Sequence, residues 1–82
     1  MMFTLDILDS IEKLTRLYYS EWSIGVTDDP GKSRAEHLNP DSWYYWGTET
    51  EQQARKMEKY FLDKGMRSEG LSGKAFYIYI FK

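Results

Sequence analysis

Apolar residues recur every three to four positions at the start of the chain: Ile7, Leu8, Ile11, Leu14, Leu17 and Tyr18, with Asp6, Asp9, Glu12 and Arg16 between them. The spacing predicts an amphipathic helix from about Thr4 to Tyr19, docked by one stripe. The run "WSIGVT" is short and β-prone, and it ends at Asp28-Asp29-Pro30, where an Asp before a Pro reads as an N-cap followed by the first helical position. A short second helix follows over about 30–38, and Asn39-Pro40-Asp41 ends it, because proline disfavours helical geometry in the residue before it. Alternation in "SWYYWGT" predicts a strand with Trp43 and Tyr45 on one face and Tyr44 and Trp46 on the other. Thr48 and Glu51 have the spacing of a capping box for a third helix, whose buried stripe is Ala54, Met57, Phe61 and Leu62 and whose stop is Gly65. The segment "GMRSEGLSGK" reads as a connection to "AFYIYIF", in which Phe76, Ile78 and Ile80 face one way and Tyr77, Tyr79 and Phe81 the other. A strand apolar on both faces belongs inside a sheet, paired here with "WSIGVT".

The element order is α-β-α-β-α-β, with no internal repeat. It predicts an α+β fold: a small three-stranded, mostly antiparallel sheet with helices packed on it, in one domain over residues 1–82. A chain of this length buries only somewhat over ~60% of the surface its unfolded form exposes, so any site is shallow or lies at the sheet's edge.

Composition narrows the chemistry. Thirteen acidic residues against eleven basic ones give a net charge of −2, which carries no overall electrostatic footprint for nucleic acid. The absence of Cys excludes disulfides and thiolate catalysis, and a single His excludes multi-His metal sites within one chain. The opening "MMFTLDILDSIEKL" lacks the basic and apolar regions of a signal peptide, and no apolar run approaches the roughly 18 residues of a membrane span. A cytoplasmic protein with no membrane partner is expected.

The ordered set "IGVTDDP", "EH", "WYYWGTET" and "ARKMEK", spread over roughly Trp22 to Leu62, resembles the core of the GIY-YIG endonuclease superfamily. Members usually begin with a GIY strand hairpinned to a YIG strand; neither motif is intact here, and a helix precedes "SIG". The strand "AFYIYIF" resembles the family's first strand in composition, which implies a permuted member whose last strand takes the first strand's place.

The resemblance implies a metal-dependent phosphodiester hydrolase, in which strand tyrosines orient or deprotonate the attacking water, a helical Arg holds the phosphate, and a Glu on a later helix binds a divalent cation. Carried over by position, the YIG tyrosine falls on Ser23. The arginine, eight residues beyond the glycine, falls on Ser33, with Arg34 next to it. An aliphatic hydroxyl lacks the phenol's reach and its pKa near ~10, and Arg34 points about 100° around the helix from Ser33. Glu58 matches the metal glutamate and would hold Mg²⁺, His37 matches a histidine one turn after the Arg, and Tyr77 is a tyrosine the last strand can offer as a catalytic group.

Each of these residues also has a plain structural account. Glu58 can be a helix-surface glutamate beside Met57, and His37 can interact with its helix's C-terminal dipole. Arg55, Lys56 and Lys59 can line a phosphate patch, but the spacings Glu51 to Arg55 and Lys59 to Asp63 fit a salt-bridged, solvated face. Exposed members of the Trp43 to Trp46 run would mark a contact surface for bases or for a protein. Three functions follow: a catalytically degenerate GIY-YIG-like domain acting as a nucleic-acid or protein interaction module; a divergent Mg²⁺-dependent DNA endonuclease using Glu58, His37, Arg34 and a last-strand tyrosine; and an unrelated small α+β protein-interaction domain.

Overall fold

A computed structural model of the chain describes residues 4–16, 18–71 and 76–82. The elements are α1 (Thr4–Thr15), a 3₁₀ turn (Tyr19–Glu21), β1 (Ser23–Thr27), α2 (Pro30–Glu36), β2 (Trp43–Gly47), α3 (Glu51–Asp63), β3 (Arg67–Leu71) and β4 (Tyr77–Phe81). They form an α+β fold on one four-stranded mixed sheet of order β2-β4-β1-β3. Among the described residues no helix is long and apolar enough to cross a membrane.

The strand at the end of the chain sits where its two apolar faces require. β4 pairs antiparallel with β1 on one side (Ile24↔Ile80, Val26↔Ile78) and with β2 on the other (Tyr44↔Ile80, Trp46↔Ile78). This register sends Ile24, Val26, Ile78 and Ile80 to one face, where they pack with Ile7 and Ile11 of α1 and Ala54, Met57 and Phe61 of α3. Each of the Ile, Val, Met and Phe side chains among them contributes roughly 1.5 to 3 kcal/mol on burial. The opposite face carries Thr27, Gly25, Tyr77, Tyr79, Phe81, Trp43 and Tyr45, and α2 lies against it.

Three expectations change. The sheet has a fourth strand, parallel to β1 (Ser23↔Arg67, Ile24↔Ser68), inside the segment expected to be a connection. "RSEGL" has no apolar alternation to announce it. It is held instead through backbone, with the Arg67 N–H donating to Trp22 O at 3.0 Å, and by buried Met66 just before it. A one-residue slip between Ile24 and Val26 bends this edge. The first helix is shorter than expected: Arg16 turns left-handed (φ 50°), Tyr18 faces solvent, and Tyr19 packs on Phe61 at 6.0 Å between ring centroids. Leu17 and residues 72–75 lie outside the described residues.

The third change is the cap of α3. Thr50 takes that role, accepting from the Gln53 N–H at 3.1 Å, while Gln53 Oε1 accepts from the Glu49 N–H. Thr48 is buried, and its hydroxyl donates to the Phe76 carbonyl instead, at 3.0 Å. The other punctuation follows the sequence reading. Asp29 caps α2 by accepting from Lys32 N–H, with Pro30 behind it, and Gly65 (φ 115°) ends α3. Past α2, Leu38 and Asn39 are left-handed, reversing the chain into β2.

Gly25 is required by a close approach. A Cβ there would lie 2.5 Å from Cζ and 2.9 Å from Cε2 of Tyr79, whose ring lies over the glycine from the paired strand. Gly25→Ala is expected to destabilise the fold by about 1 to 3 kcal/mol, read as a lower denaturant midpoint with unchanged slope. An unshifted midpoint would show that the ring is free to move. Deleting residues 77–82 should abolish the cooperative thermal transition, because among the described strands β2 would lose its only partner and β1 one of its two.

Candidate functional site

The α2 face of the sheet gathers the candidate polar groups. α2 starts immediately after β1, so its first turns fold back over the end of that strand. Ser33, buried on the inner side of α2, donates to Thr27 Oγ1 at 2.7 Å. Thr27 Oγ1 also accepts from the Asp29 N–H at 3.1 Å and donates to the Asp29 carbonyl at 3.3 Å. The Ser33 hydroxyl therefore closes a local network that fixes the strand-to-helix turn.

One turn further on, half-buried His37 caps the C-terminus of α2 and reaches the sheet. Its Nε2 lies 3.1 Å from the Tyr79 hydroxyl, and the imidazole tautomer sets which of the two donates. The imidazole packs on Phe81 at 4.6 Å between centroids, and Trp43 stacks on Tyr79 at 4.6 Å with 19° between planes. Tyr79 is itself buried. An aromatic wall from β2 and β4 thus holds both members of the His37–Tyr79 pair in place, and the pair can relay a proton over one hydrogen bond.

The residues singled out from sequence separate into distinct places. His37 meets a tyrosine of the last strand, but it is Tyr79; Tyr77 stands two residues along the same face, edge-on to Tyr45 at 6.1 Å. Ser23 is buried between Phe81 and Arg67 in the sheet. Arg34 is exposed, and its guanidinium donates to the Pro40 carbonyl at 3.3 Å. Glu58 is on α3, which packs on the opposite face of the sheet from α2. Sequence reasoning missed Tyr79 and Thr27. Strand parity was the available signal: in antiparallel pairing, the residue opposite a glycine is the one whose ring can lie over it.

Glu58 is not a helix-surface residue. It is buried beside Ala54, Met57 and Phe61. Burial pushes its carboxyl above the ordinary value, and the neighbouring Arg55 guanidinium offsets this in part. Arg55 is shared with Glu51, which accepts from it at 2.7 Å. Among the described residues no three His, Asp or Glu side chains stand together as a metal-ion site. With Glu58 across the sheet from His37 and Tyr79, these residues do not fit one shared Mg²⁺ site, and no step is derived through one. No family model, curated protein or solved structure matches the chain.

The raised carboxyl has a pH consequence. The folded state holds the Glu58 proton more tightly than the unfolded state, so the stability this proton contributes is full below the ordinary value of 4.5 and is lost as pH rises through the raised one. Glu58→Gln should therefore raise the thermal midpoint at neutral pH and remove the loss of stability that Glu58 brings as pH rises above 4.5. A variant that melts lower at pH 7 and loses a rise of stability with pH that the parent shows would mean that the carboxylate is stabilised in its charged form.

Proposed function

We propose that the chain is a GIY-YIG-like domain that has lost phosphodiester hydrolysis and works as an interaction module. The observation that carries this reading is Ser33. At the position matching the family's arginine stands a buried hydroxyl committed to Thr27 at 2.7 Å, which offers a phosphate neither a positive charge nor a planar fork of donors. Neither the residue at the tyrosine's position nor the arginine beside Ser33 makes up for this. Ser23 is buried in the sheet, and Arg34 turns its guanidinium to the loop before β2. Antiparallel pairing of β4 with β1 supports the permuted form of the resemblance, since it seats "YIYIF" beside "SIGVT" as the family's first strand would sit.

Purified protein should leave supercoiled plasmid and branched DNA intact with Mg²⁺ or Mn²⁺, including at low salt, where weak phosphate contacts persist. Metal-dependent cleavage by the parent that is lost in an equally pure Glu58→Ala protein would overturn this reading. It would establish the divergent endonuclease instead.

A further inference from the structure

β2 is an edge strand, and among the described residues no strand pairs with its outer side. The flanking backbone bonds, Thr48 N–H to Phe76 O at 2.8 Å and Lys82 N–H to Ser42 O at 3.2 Å, fix which of its groups are spent. In an antiparallel ladder hydrogen-bonded pairs alternate with non-bonded ones, so Tyr44 and Trp46 bond inward to β4. Trp43, Tyr45 and Gly47 direct their N–H and C=O groups outward. Charge and proline do not guard this edge: "WYYWG" contains no Pro and no charged residue. Its side chains are also accessible, with Tyr45 53% and Tyr44 40% exposed.

Charge selects the occupant. The uncharged strand is bracketed by exposed Asp41 and Glu49, and neither carboxylate has an ion-pair partner among the described residues. A second copy pairing antiparallel about Tyr45 would set Asp41 against Glu49 of its mate at both ends, a like-charge opposition. A segment with basic residues at the same two positions meets the opposite sign at both. We propose that the β2 edge accepts an extended segment of a partner protein, flanked by Lys or Arg, as an additional strand of the sheet. Main-chain bonds to Trp43, Tyr45 and Gly47 supply the pairing, and the two terminal carboxylates select a basic partner.

This extends the interaction-module reading to one edge and one class of partner. DNA cleavage would overturn that reading, whereas the peptide titration below tests the edge alone. The probe is the nonapeptide Lys-Thr-Val-Thr-Val-Thr-Val-Thr-Lys, whose ends match the span from Asp41 to Glu49, with a twin bearing Glu at both ends. Titrated into isotope-labelled protein, the Lys peptide should move the amides of Trp43, Tyr45 and Gly47. The Glu twin should bind about tenfold more weakly, and the difference should vanish in the Asp41→Asn/Glu49→Gln double variant. Equal affinity of the two peptides, or no movement of those three amides, would overturn the proposal. So would concentration-dependent shifts of the same amides in the protein alone, which would make a second copy the occupant, or equal shifts with a short DNA strand.

Discussion

The Tyr79 ring resting on Gly25 is the contact on which the arrangement of both sheet faces depends. It forms across the β1–β4 pair, and only a residue without a side chain leaves room for it. A one-residue slip in that register would turn Ile78 and Ile80 away from the α1–α3 core and bring the tyrosines into it. With the register held, the aromatic face is assembled in one arrangement: Trp43 stacks on Tyr79, Phe81 supports His37, and α2 closes over the end of β1 through the Ser33 to Thr27 bond.

The sheet also divides the chemistry. Ser33, His37 and Tyr79 share the α2 side, while Glu58 belongs to the helix packed beneath the core side. Such a division keeps the hydrogen-bonded imidazole–phenol pair on the face away from Glu58. It also leaves a buried carboxyl whose ionisation works against the core it occupies. The outward surface of the sheet is then defined by backbone and aromatic groups more than by ionisable ones.

Much of the fold could be read before any coordinates because certain elements had only one way to be satisfied. Apolar groups on both faces of "YIYIF" demanded an interior strand, and Asp29-Pro30 and Gly65 punctuate helices for reasons local to their own backbones. β3 was invisible because its pairing rests on main-chain bonds and on Met66, which precedes it, so its own residues carry no alternation. The end of α1 was overestimated because Tyr18 and Tyr19 continue the apolar stripe in sequence while pointing to different surroundings in space. For the site, helical spacing could not place Glu58, which shares the inward side of α3 with an apolar stripe. A list of tyrosines could not choose Tyr79 over Tyr77 until the opposing glycine was known.

The strand order has a consequence for how the chain reaches this structure. In the order β2-β4-β1-β3 no two described strands consecutive along the chain lie side by side, so they form no hairpin. Consecutive strands are neighbours in roughly two-thirds of cases elsewhere. Every strand pairing here must close a long loop before any ladder bond repays the lost chain entropy, which places the domain among slow folders for its size. Helices can form early, but the β1–β4 and β2–β4 ladders have no local nucleus from which to zip. Until β4 arrives, the aromatic strand "WYYWG" has no mate in the sheet, and that interval is when a chaperone would be most useful to this protein.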